Sequence, residues 1–186
     1  SVDAHGTNTL SSLGGYAPGQ LIGPAYAASF ILAVTEDVRS ETPIEEDNWA
    51  AAAEWAEALG ADVISSSLGY LDFDLPYTSY SAQDMNGETA VTTRAAALAA
   101  ERGVVVVNSA GNQGLDVTQN TLGAPADGVR VVSVGAVTRS GARAQFSSVG
   151  PTADGRIKPD VAAMGVSVKV ARHFEHAYGL ASGTSF

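Results

Sequence analysis

Three residue types in this sequence, in three separate stretches, could together carry acyl-transfer chemistry. Ser185 lies in Gly183-Thr184-Ser185-Phe186, and a serine hydroxyl becomes a nucleophile only when a base takes its proton. The histidines are His5, His173 and His176. His5 is followed by Gly6, which leaves the imidazole room on one side, so it reads either as a general base or as a surface or capping residue. His173 and His176 flank Phe174-Glu175, a spacing open to metal ligation or to two solvated side chains. Asn112 follows Ala110-Gly111. Its amide can donate to the oxyanion of a tetrahedral intermediate, or the residue can occupy a turn that tolerates positive φ.

These residues need elements to position them. A short helix of about two turns is expected from Asp3 through Leu13, broken by Gly14-Gly15. Phe30-Ile31-Leu32-Ala33-Val34 reads as a buried strand. Glu45-Glu46-Asp47 leads an amphipathic helix with Trp49, Ala52, Ala53, Ala56 and Leu59 at helical spacing and Gly60 as its stop; acids at its start suit the helix dipole. Residues 62–68 form a strand, 70–84 an exposed loop, and a second helix carries Val91, Ala95 and Leu98 before Gly103. Val104 to Val107 is a strand that delivers Ser109-Ala110-Gly111-Asn112 at its carboxyl end. Val131–Val137 is another, with shorter ones around Phe146 and over 167–170. The alternation predicts an α/β domain: three layers, a largely parallel central sheet with helices on both faces. In such sheets the ligand crevice lies beyond the carboxyl ends of the strands, where Ser67-Leu68-Gly69 and Ala110-Gly111-Asn112 both emerge.

Composition narrows the partners. The 186 residues, 45% hydrophobic, suit one domain burying roughly 70% of its unfolded surface. Twenty acidic against ten basic residues give a net charge of -10, which excludes a nucleic acid or an anionic membrane as the primary partner. The absence of cysteine excludes disulfides, thiolate metal sites and a cysteine nucleophile. No apolar run approaches the ~18 residues of a membrane span.

His5-Gly6-Thr7, Ser66-Ser67-Leu68-Gly69, Ala110-Gly111-Asn112-Gln113-Gly114 and Gly183-Thr184-Ser185 occur in the order found in subtilisin-like serine peptidases, and Phe146-Ser147-Ser148 and Lys158-Pro159-Asp160-Val161 are similar to pieces that lie between. The resemblance implies a serine endopeptidase acting on polypeptides through an acyl-enzyme. His5 would be the base and then the acid, Ser185 the nucleophile, and Asn112 the oxyanion donor with a backbone N–H at the serine. Ser67, Leu68 and Gly69 would be a strand edge for an extended peptide, and Ala110 and Gly111 part of the pocket for the residue before the scissile bond. It implies a secreted or cell-surface protein, and leaves the oligomeric state open.

The sequence departs from that family's pattern in three ways. No strand-end motif with the orienting aspartate precedes His5, and Asp3 is too close along the chain to reach Nδ1 while Nε2 faces Ser185. One residue follows Ser185, where the family continues into a helix. Asn8 and Tyr70 stand where a histidine and a glycine are common. Residues 1–186 are therefore expected to be part of a catalytic domain truncated at both ends and inactive alone, its aspartate supplied from outside. Two other readings are a non-catalytic binding or structural module of the same fold, and an α/β-hydrolase, which places its histidine after the serine. No cofactor is required. The resemblance also brings structural calcium into view, with Asp72, Asp74, Asp84, Asn86 and Glu88 as oxygen donors that match no defined loop; the other and favoured reading of these residues is surface acids in a polar loop.

Overall fold

The computed structural model describes residues 2–173 and 177–186; of the metal-spaced histidine pair, His176 lies outside them. Helix α1 spans Val2–Gly14, longer than the two turns expected but ended by the predicted glycine pair. A small hairpin follows, β1 (Tyr16–Ala17) with β2 (Leu21–Ile22). Helix α2 (Ile44–Ala58) and strand β3 (Val63–Ser66) come next, then helix α3 (Val91–Glu101), strand β4 (Val105–Ser109), β5 (Val131–Val137) and β6 (Val161–Met164). Strand β7 (Val168–Ala171) closes an antiparallel hairpin with β8 (Tyr178–Ala181).

The central sheet runs β3-β4-β5-β6, every pair parallel: Ile64 faces Val106, Val106 faces Val131, and Val134 faces Val161. The largely parallel α/β architecture is thus as the sequence predicts. Strand alternation puts Ile64, Val106 and Val131 on one face, where they pack with Trp49 and Ala53 of α2 and Ala96 and Ala99 of α3. The Trp49 indole donates to Ser66 Oγ at 3.0 Å, which satisfies its one polar atom inside that core. The other face presents Val63, Val105 and Val161, each about half exposed. Helix α1 packs on β7, and Ala171 N–H donates to Ser11 Oγ at 2.8 Å.

Three local readings need correction. Phe30–Val34 forms no strand, and Leu32 and Val34 are 65% and 85% exposed; β3 is the edge of the sheet, so no hydrogen-bonded partner strand lies beside the run. Phe146 sits in a turn closed by Ser147 N–H on the Ala144 carbonyl at 3.0 Å. The loop over 70–84 is largely exposed, yet Tyr70 at its start is buried and bridged to Ala124 by paired backbone bonds.

The acids that open α2 do more than face a dipole. Glu45 and Glu46 are each 1% exposed. Glu45 accepts the N–H groups of Asp37 and Thr42, and Glu46 accepts Tyr80 Oη at 2.8 Å together with the Thr92 N–H and hydroxyl. Buried carboxylates persist only with such donors, and these tie the loop after β3 and the start of α3 to α2.

Candidate active site

Parallel strands β3 and β4 end side by side, and the loop leaving each strand builds one wall of a cleft of about 130 Å³. Of the residues singled out from sequence, Ser67, Leu68, Gly69, Gly111, Asn112 and Ser185 line it. The Leu68 carbonyl is held from behind by Asn108 Nδ2 at 2.9 Å and Ser109 Oγ at 3.3 Å. Exposed Gly69 has no hydrogen-bond partner for its N–H or C=O among the described residues, so this edge offers free backbone groups to an extended chain.

Two glycines shape this wall, and at Gly111 the backbone requires one. Gly111 has φ +112°, and a Cβ there would sit 2.7 Å from Ser148 Oγ. Gly123 backs onto Gly69, with its would-be Cβ 3.4 Å from the Gly69 Cα. Ala110 does not line the cleft. It is fully buried with Leu122, Ala124, Met85 and Ala90, and shapes the wall through its backbone, donating to the Val134 carbonyl and accepting from Gly123 N–H.

The turn carrying Ser185 is bound to the β4 loop by Thr184. Its N–H donates to Asn112 Oδ1 at 2.9 Å, and its hydroxyl accepts from Gly111 N–H at 3.2 Å while lying 3.1 Å from Asn112 Oδ1. A backbone N–H can only donate, so the amide atom facing it must be the oxygen. The orientation of Asn112 is thereby fixed: Nδ2 lies on the side away from the Thr184 N–H, with no acceptor among the described residues, 3.7 Å from where a Cβ on Gly183 would be. An amide donor anchored through its oxygen on the cleft that a serine also lines is an arrangement that can stabilise an oxyanion.

Ser185 is half-buried. Its hydroxyl donates to the Ser67 carbonyl at 3.5 Å, and its own carbonyl accepts from Ser67 Oγ at 3.0 Å. His5, on the first turns of α1, reaches the same region through Phe186: the rings meet edge to face with centroids 5.9 Å apart. No hydrogen bond joins imidazole and hydroxyl; the ring is brought to the turn by its contact with Phe186, the residue after Ser185. Loss of water around the ring holds the His5 pKa below its ordinary value, which favours the neutral base. Among the described residues no carboxylate hydrogen-bonds it.

Sequence reasoning missed Leu71, Ser109, Gln113 and Gly123, which complete the cleft, and gave Thr184 no role. Gln113 stood inside a quoted motif; Leu71 and Gly123 carry no local signal, because only the Tyr70–Ala124 bridge brings them in. Of the oxygens named for calcium, Asp74 accepts Glu41 N–H, Asp84 accepts the Ser81 N–H and hydroxyl, and Asn86 accepts Glu88 and Thr89 N–H. Among the described residues, no group of three or more acidic, histidine or cysteine side chains is placed to hold a metal, and no helix is long and apolar enough to cross a membrane.

Comparison with known proteins gives the family. The model of the subtilase family matches residues 1–186. Subtilisin DY of Bacillus licheniformis is 39% identical over 132 residues, 71% of this chain and 40% of the relative. Subtilisin E of Bacillus subtilis (strain 168) is 36% identical over 132 residues, 71% of this chain and 29% of the relative. Among solved structures, the self-cleaved protease domain of PatA superposes with a TM-score of 0.73 and 26% identity, covering 98% of this chain and 61% of that one. The PatG macrocyclase in complex with peptide gives 0.74 at 21% identity, covering 98% of this chain and 48% of that one, a likeness of fold. The chain thus spans 40% or less of the length of these two subtilisins.

Proposed function

This chain belongs to the subtilase family, and from that premise we propose that the protein containing it is a serine endopeptidase that cleaves polypeptides through an acyl-enzyme on Ser185. The observation that carries the reading is the anchored Asn112 amide: Thr184 holds its oxygen at 2.9 Å and leaves Nδ2 without a partner among the described residues, on the cleft that Ser185 also lines. A peptide laid along Ser67–Gly69 puts its scissile carbonyl between the serine and that amide. His5 takes the hydroxyl proton as Ser185 Oγ bonds to the carbonyl carbon, and the oxygen gathers charge against Asn112 Nδ2 and the Ser185 N–H. The imidazolium then protonates the leaving amine as the C–N bond breaks. Water, deprotonated by the same histidine, releases the acyl group.

The carboxylate that orients the imidazole is, in this proposal, supplied from outside residues 1–186, and the 186-residue chain alone is idle. Support comes from the Ser185 hydroxyl, which donates to Ser67 rather than to His5. Without that aspartate, kcat falls by about 3 × 10⁴ in subtilisin, a figure carried over from that enzyme. The proposal includes secretion or display at the cell surface, by family alone. The test is labelling of the complete protein with a fluorophosphonate, followed by peptide mapping. Labelling at Ser185, abolished in Ser185→Ala, is expected; a folded complete protein that takes no label overturns the reading.

A further inference from the structure

Ser67 lends its backbone to the peptide edge, and its side chain does something separate. The hydroxyl donates to the Ser185 carbonyl at 3.0 Å, a contact between residues 118 positions apart. Gly183 is held by its N–H on the Gly165 carbonyl at 2.9 Å, and Thr184 by Gly111 and Asn112. Among the described residues, the only hydrogen bonds on Ser185 itself are those to Ser67. The return contact, Ser185 Oγ to the Ser67 carbonyl, is 3.5 Å, long for an O–H···O bond. The nucleophile's backbone is therefore tethered while its hydroxyl stays loosely held and free to turn.

We propose that Ser67 is a positioning residue for the nucleophile, its hydroxyl locking the Ser185 backbone in register with the edge on which the peptide lies. The inference rests on the reading of Ser185 as nucleophile. One residue then sets two coordinates of the reaction, its main chain the height of the substrate and its side chain the height of the attacking serine. Near-attack geometry tolerates errors of well under an ångström, and a tether shared between the two partners moves them together. Alanine at 67 would leave the half-buried Ser185 carbonyl without a donor and the turn pinned only through Gly183 and Thr184.

The test uses the complete protein and a chromogenic peptide. Ser67→Ala is expected to lower kcat about tenfold with KM within about twofold, the scale of one half-buried carbonyl losing its donor. Ser67→Thr, which keeps the hydroxyl, recovers kcat to within about threefold of wild type. The unfolding midpoint of Ser67→Ala stays within about 4 °C of wild type, so the loss is not one of folding. A KM increase with kcat intact overturns the proposal, because Ser67 then acts on peptide binding. So does a Ser67→Ala enzyme with wild-type kcat, or a threonine variant no better than the alanine one. If the wild type takes no fluorophosphonate, the nucleophile reading fails and this inference with it; a labelled wild type with an undiminished Ser67→Ala sinks this inference alone.

Discussion

Thr184→Val separates the anchoring of Asn112 from its presence. The threonine is 6% exposed, and valine reproduces its shape without the hydroxyl. That hydroxyl has one proton, so its approaches to Asn112 Oδ1 at 3.1 Å and the Gly111 carbonyl at 3.2 Å are alternatives; with the bond accepted from Gly111 N–H it makes two bonds at a time. Losing both costs about 2 kcal/mol at about 1 kcal/mol each, a fall of about 4–8 °C in Tm for a chain of this size. Asn112 keeps its backbone anchor, the Thr184 N–H at 2.9 Å, so the amide is loosened and not lost. The expected result in the complete protein is a drop of about tenfold in kcat with KM little changed. Steady-state kinetics on a peptide substrate, paired with thermal unfolding, decides it. An unchanged kcat with the expected Tm loss would mean that the hydroxyl serves folding only. A kcat loss as large as that of deleting the amide would mean that the backbone anchor does not hold Asn112 in place, and either result refutes the argument.

Three other substitutions probe named contacts. Asn112→Ala should lower kcat by about 10²–10³ at nearly constant KM, a size taken from subtilisins and not worked from this geometry; a loss below tenfold in the purified complete protein would count against Asn112 as the oxyanion donor. Gly111→Ala must accept φ +112° and a methyl 2.7 Å from Ser148 Oγ, so urea unfolding should register a loss of at least about 2 kcal/mol, and a neutral result would mean that the turn is soft. Burial, ahead of repulsion from Glu45, holds the Glu36 pKa above the ordinary carboxylate range although Tyr70 and Thr35 donate to it. A raised folded pKa means that stability present in acid is lost as pH rises from the unfolded value through the folded one. Glu36→Gln keeps an acceptor for Tyr70 and carries no charge, so its urea midpoint should gain on wild type between about pH 4 and about pH 7; a difference that stays flat across that range refutes the assignment.

The elements legible in the sequence were those whose local signals and tertiary needs agree. The glycines read as stops, Gly60 and Gly103, follow α2 and α3 with φ +82° and +96°, and the valine runs of β4 and β5 lie centrally in the sheet. Phe30–Val34 has as strong an apolar signal and forms no strand, because hydrophobicity reports a tendency to burial and says nothing of which strand stands alongside. β6 was invisible for the opposite reason: Val161-Ala162-Ala163-Met164 is small and short, and becomes a strand only through its register with β5. In the cleft, Ser185, Asn112 and Ser67–Gly69 could be named because their residue types limit their chemistry. Thr184 could not, since the meaning of its hydroxyl lies in a contact 72 positions away.

The two halves of the candidate site are built on different supports, which explains why one is assembled and the other is not. Asn112, Gly111 and Ser67 hang from the ends of β3 and β4, and Thr184 and Ser67 bolt the nucleophile turn to them. His5 hangs from α1, which packs on β7, with Ser11 as its hydrogen-bonded pin. The β7–β8 hairpin also leads into the turn, since β8 ends at Ala181 and Gly183-Thr184-Ser185 come directly after. The hairpin is thus the part shared by His5 and Ser185, whereas Asn112 hangs from β4. A carboxylate bonded to His5 would act on the His5 half. It would raise the imidazole pKa from its lowered value, fix its tautomer, and draw the ring toward an orientation in which the other nitrogen accepts from Ser185. Such a carboxylate would supply alignment of the imidazole as well as charge, while the Asn112 amide is already held by Thr184 without it.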